Sequence, residues 1–117
     1  MGTMDNKVAL ITGAASGIGR ASALALAEAG AAVCISDVNT EGGEETADMI
    51  IDAGGKAVFT TGDVTNADDV QAMIDVAVNT FGQLDVAVNN AGIAGNLVKR
   101  IHEVEDDIFD SIININV

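Results

Sequence analysis

Residues Ile11 to Ala23 read ITGAASGIGRASA, with glycines spaced Gly13-x-x-x-Gly17-x-Gly19 directly after the apolar run KVALIT. Glycine tolerates φ > 0 and lets another group approach the backbone closely. An apolar strand, a glycine turn carrying Ser16 and Ile18, and an alanine-rich helix together make a cradle for an anion. Its free N–H groups and the positive end of the helix dipole face one point, which suits a phosphate. From these residues alone, an ordinary strand-to-helix turn with glycines for tight packing stays open. Later stretches add groups able to meet a small molecule: Asp37, Asp63-Val64, and NNAG from Asn89 to Gly92.

Other reactive side chains offer less. His102 is the only histidine and lies beside Lys99, Arg100 and Glu103. With no second His or Cys near it, neither a metal nor a catalytic role is expected. The pairs Glu44-Glu45 and Asp106-Asp107 read as solvated helix starts. Cys34, the single cysteine, has no internal disulfide partner, and its neighbours AAVCIS place it in a buried strand.

Composition narrows the partners. The 117 residues suit one domain spanning 1–117, with residues 1–6 as an N-terminal tail, and 49% of them are apolar. Eighteen acidic residues face five basic ones, a net charge of −13, and Lys99-Arg100 is the largest basic cluster. Nucleic acid and anionic membranes are therefore excluded as expected partners. An anionic ligand must be held mainly by backbone N–H groups. No apolar run approaches the ~18 to 20 residues that span a bilayer, and no signal-peptide pattern precedes the first strand. A reducing, cytoplasmic compartment is expected.

Strand and helix patterns alternate along the chain. AAVCISD reads as a second strand after a helix closed by Gly30, and KAVFTTGD as a third after a helix closed by Gly54-Gly55. TNADDVQAMIDVAVNTFG is a helix with Val70, Met73, Ile74, Ala77, Val78 and Phe81 at helical spacing. Thr65 and Asp68 have the spacing of a capping box there, and Gly82 ends it. QLDVAVNNAG is a fourth strand. Strands joined by helices require parallel pairing, so the expected fold is a doubly wound α/β sheet of four strands with helices on both faces. The glycine turn, Asp37, Asp63 and NNAG all fall at the carboxyl ends of strands, where such sheets bind ligands.

In their order and spacing, TGAASGIG (Thr12 to Gly19), Asp37, Asp63-Val64 and NNAG closely resemble the motifs of the short-chain dehydrogenase/reductase family, essentially from Lys7 onward. The glycine spacing is that family's and not G-x-G-x-x-G. The resemblance implies a Rossmann-like domain with a dinucleotide pyrophosphate against Gly13, Ser16, Gly17, Ile18 and Gly19. It places the adenosine ribose hydroxyls on Asp37, whose carboxylate would repel a 2′-phosphate. Neither Val38 nor Asn39 offers compensating charge, so NAD is expected rather than NADP. Asp63 and Val64 are implied to line the adenine pocket, although Asp63 in isolation reads as a turn or cap residue. The counterpart of Asn89 joins strands, and the backbone at Asn90, Ala91 and Gly92 passes the ribose. Asn116 matches the asparagine that binds a water in the family's proton relay.

The family's remaining machinery, a serine that polarises the substrate carbonyl and a Tyr-x-x-x-Lys pair, is not here. The chain has no tyrosine, and its lysines are Lys7, Lys56 and Lys99. It thus resembles the cofactor-binding half of an NAD-dependent oxidoreductase acting on a small-molecule alcohol or ketone, truncated before the fifth strand and inactive alone. A non-catalytic nucleotide-binding module is the alternative. A signalling receiver domain needs no glycine cradle, and a P-loop needs a Lys-Ser/Thr pair after its glycines. HEVEDDIFDSIININV is expected as a long helix with Val104, Ile108, Ile112 and Ile115 on one stripe, although SIININV alone could pass for a strand. The fourth strand would then be an edge without lysine or proline, and self-association into a homo-oligomer through that strand or the last helix, or else partial unfolding, is expected.

Overall fold

A computed structural model describes residues 2–90 and the backbone of residues 111–114. Among the described residues, five strands and three helices follow in chain order: β1 (Val8–Thr12), α1 (Gly17–Glu28), β2 (Ala32–Asp37), α2 (Thr40–Asp52), β3 (Lys56–Thr61), α3 (Ala67–Phe81), β4 (Val86–Asn89) and β5 (Ser111–Asn114). The strands form one sheet in the order β3-β2-β1-β4-β5, and every pairing is parallel.

Alternation along the strands sorts the core into two layers. Leu10 and Cys34 face α3, where Val70, Met73, Ile74 and Ala77 pack on them. Ile11, Val33, Ile35 and Val88 face the other way, onto Ala23 of α1 and Ile50 of α2. With both faces covered, β1 is apolar at four successive positions and buried throughout. The expected doubly wound architecture is the observed one. No helix among the described residues is long and apolar enough to cross a membrane.

Two local expectations change. The side chain capping α3 is Asn66, which accepts from the N–H groups of Asp68 and Asp69, and not Thr65. Thr65 instead donates its hydroxyl to Asp63, so the Asx geometry one residue later wins the cap. Ahead of β1, the Met4 N–H donates to the Ala29 carbonyl at 2.8 Å, and Met4 packs on the core.

The second change is larger. Ser111–Asn114, placed in a terminal helix by the stripe ending at Ile112 and Ile115, pairs with β4 from Val86 opposite Ser111 to Asn89 opposite Asn114. An open parallel edge offers a row of ladder hydrogen bonds, and the β-branched pair Ile112-Ile113 favours extended backbone over helix. A fifth strand therefore stands where none was expected. β4 is not an edge, and self-association through it loses its basis. Val104, Ile108 and Ile115 lie outside the described residues.

Cys34 is fully buried on β2, and burial pushes its thiol up to about 12. An unfolded thiol ionises first, so this residue's contribution to stability falls as pH rises above ~8.5. At pH 8 the native thiol should react with an aromatic disulfide on the order of 10³-fold more slowly than in the urea-unfolded chain, as for a domain stable by about 5 kcal/mol. Equal rates, followed by absorbance, would show that β2 is open to solvent.

Candidate functional site

The register brings the carboxyl ends of β1, β2 and β4 together, with Thr12 opposite both Ser36 and Asn89. Three loops leave the sheet there. A cavity of about 580 Å³ lies at the other end, against Lys7, Ala31 and Lys56.

A buried hydrogen-bond cluster ties the ends of β1 and β4. Thr12 Oγ1 donates to Asn89 Oδ1 at 3.1 Å and accepts from the Asn90 N–H at 3.2 Å. The Asn90 side-chain amide then donates to the Gly13 carbonyl at 3.3 Å. Asp37 does the same for β2. One of its carboxylate oxygens accepts from the Ala15 N–H and the other from the Asn39 N–H, each at 2.9 Å. Asp37 therefore pins the glycine turn, and a carboxylate's four lone-pair sites leave room for further donors.

Within the turn the glycines do different work. Gly17 sits at φ 59°, a left-handed conformation, with open space around it. Gly19 is a packing glycine, since a Cβ there would lie 2.0 Å from the Gly13 carbonyl oxygen. Ser16 is the N-cap residue of α1, yet its side chain makes no capping bond, and the first turn holds no acid. By contrast, α2 and α3 are capped by Asn39 and Asn66 and start with acidic residues. The first N–H groups of α1 have no intrahelical acceptor. They stay available to an anion.

Beside the turn lies a cleft of about 200 Å³ bounded by Gly13, Ser36, Asp37, Val38, Asp63 and Val64. Ser36 is 1% exposed and its Oγ has no hydrogen-bond partner; Asn90 Oδ1 is likewise buried without one. Buried polar atoms are normally paired, so both fit the polar groups of a bound nucleotide. Ile18 and Val38 are exposed apolar side chains on the turn and at the cleft. Asp63 faces its own loop, accepting the Thr65 hydroxyl at 2.7 Å and the Thr65 N–H at 2.8 Å. These bonds, the hydroxyl's first, hold its carboxyl below the ordinary value.

Gly13 to Gly19, Asp37, Val38, Asp63, Val64 and Asn90 thus gather at one end of the sheet. Ala91, Gly92, His102 and Asn116 lie outside the described residues. Arg20, Gly42 and Thr46 carry no motif that marks them, yet they buttress the turn. Arg20 donates to the carbonyl oxygens of Ala15 and Gly42, and a Cβ on Gly42 would lie 2.9 Å from that of Ala15. The available signal was Gly42-Gly43 inside a helix, which costs about 1 kcal/mol per glycine and marks a close approach.

A model of the short chain dehydrogenase family matches residues 7–117. The chain is similar to a cyclohexanol dehydrogenase of Acinetobacter sp. (strain SE19), 42% identical over 113 residues, covering 97% of this chain and 45% of that enzyme. It is 44% identical over 117 residues to a 3beta-hydroxysteroid dehydrogenase of Mediterraneibacter gnavus, covering all of this chain and 42% of that one. A crystal structure of a hydroxysteroid dehydrogenase from Escherichia coli superposes with a TM-score of 0.75 at 40% identity, covering 79% of this chain and 39% of that one. The chain spans less than half the length of these relatives.

The two glycine roles separate by mutation. Gly19→Ala should cost about 3 kcal/mol or more, because backbone must move. Gly17→Ala should cost about 1 to 2 kcal/mol, from the left-handed conformation alone. Urea unfolding of both variants checks the order, and the reverse order would refute this division of labour.

Proposed function

This chain belongs to the short-chain dehydrogenase family, and on that premise we propose that it is the nucleotide-binding part of an NAD-dependent oxidoreductase interconverting an alcohol and a ketone. The observation that carries the proposal is the uncapped start of α1 beside Asp37 at the end of β2. When bound, the nicotinamide supplies the acceptor or donor of a hydride. The N–H groups at Ser16, Gly17, Ile18 and Gly19 hold the pyrophosphate, helped by the Ser16 hydroxyl. Asp37 accepts the adenosine ribose hydroxyls. Ser36, Val38, Asp63 and Val64 bound the adenine side, and Asn90, Ala91 and Gly92 border the second ribose. Asn116 holds a water for proton transfer.

Asp37 also sets the cofactor. A 2′-phosphate about 4 Å from a carboxylate is repelled by about 4 kcal/mol per unit charge at a protein surface, and by about 1 kcal/mol in bulk water. Among the described residues the cation at this end of the sheet is Arg20, and it is paired with Glu45 at 3.0 Å. NAD is therefore preferred over NADP. Two relatives, a cyclohexanol dehydrogenase and a 3beta-hydroxysteroid dehydrogenase, support an alcohol as substrate. The lone buried thiol supports a reducing, cytoplasmic setting.

The 117 residues contain no tyrosine to donate the proton. A second reading is a nucleotide-binding module without chemistry. The intact mass of the protein from its source distinguishes the two, since only the oxidoreductase needs a further, comparable length of chain.

Titration calorimetry with both cofactors should show NAD bound more tightly than NADP. Asp37→Ala should weaken NAD and narrow that ratio; an unchanged ratio sinks the assignment. The 117-residue chain should oxidise secondary alcohols no faster than background, because acid–base help worth ~10²- to 10⁴-fold is missing. Robust turnover by protein of confirmed mass would contradict this.

A further inference from the structure

The cradle exposes N–H groups only if the carbonyl groups of the same peptides point elsewhere. They are held from behind, by α2 and by one side chain of α1. Thr46, fully buried on α2, donates its hydroxyl to the Ala14 carbonyl at 2.7 Å. Arg20 Nη2 donates to the Ala15 carbonyl at 2.6 Å. The same guanidinium reaches Thr46 Oγ1 at 2.9 Å, Glu45 Oε1 at 3.0 Å and the Gly42 carbonyl at 3.2 Å. Ala15 is gripped on both sides, its N–H by Asp37 and its carbonyl by Arg20.

We propose that Arg20 is a positioning residue for the dinucleotide: by holding the Ala15 carbonyl back against α2, it turns the Ser16 N–H toward the phosphates. The proposal rests on the NAD-binding reading. In a planar trans peptide the carbonyl and the next residue's N–H point in opposite directions, so fixing one aims the other. A released Ala15 carbonyl could swing toward the ligand and repel its charge. Arg20 does not act as a phosphate ligand, because its planar fork is committed to α2 and Glu45. Lysine, with a single ammonium, cannot span the same set of acceptors.

The test uses the full chain with Arg20→Met and Arg20→Lys, titrated with NAD, ADP and adenosine. Arg20→Met should lose about tenfold for NAD and ADP, the order expected of one charge-assisted hydrogen bond. Adenosine, which has no phosphate, should stay within about twofold, and Arg20→Lys should fall between. Thermal unfolding reports the folded fraction, and Arg20→Lys serves if Arg20→Met does not fold. Unchanged NAD affinity, or equal losses for all three ligands, overturns the proposal. If the parent binds no dinucleotide, the functional reading fails, and amide exchange judges Arg20 by itself. Faster exchange at the Ala15 N–H in the variants, with the sheet unchanged, supports the positioning role; unaltered exchange overturns it.

Discussion

β1 pairs with β2 along one edge and β4 along the other, and its five residues are buried on both faces. That double burial sets the position of every group at the carboxyl end of the sheet. Thr12, the last residue of β1, can bond Asn89 only because the parallel register puts them side by side. Asp37 reaches the turn only because Ser36, its neighbour in β2, lies opposite Thr12. Loops carry the polar groups, but a rigid apolar strand aims them.

The site solves an electrostatic problem that the composition poses. On the proposed reading, a chain with a net charge of −13 holds an anion. Cations would do this directly, yet among the described residues Arg20 is engaged with Glu45 and α2, and Lys7 and Lys56 line the cavity at the opposite end. What remains among those residues is oriented backbone. N–H dipoles at a helix start act over short range and need no counterion, so a net negative chain can still bind a phosphate locally. The requirement moves from charge to geometry, and Asp37, Arg20 and Thr46 then hold the turn's N–H and carbonyl groups in place.

Much of this is legible in the residues. Strands β1 to β4 and all three helices follow from apolar runs, helical spacing and glycine stops such as Gly82, at φ 85°. Most of the site's members gather at one edge because each ends or follows a strand. The misses share a cause: each depends on a partner distant in sequence or on competition between adjacent residues. Asn66 displaces Thr65 as a cap because Thr65 bonds Asp63. Gly42 looks unfavourable until Ala15 is packed against it.

The sequence by itself determined the alternation of strand and helix, the parallel sheet, the glycine turn and the acid that closes β2, because periodicity and glycine chemistry act locally. Tertiary structure decided the rest. A helical stripe and a β-branched pair compete within residues 104–115, and the open edge of β4 resolved Ser111–Asn114 as strand. Arg20 could have been a solvated cation, a phosphate ligand or a brace. Only the approach of α2, which brings Gly42, Glu45 and Thr46 to its guanidinium, made it a brace.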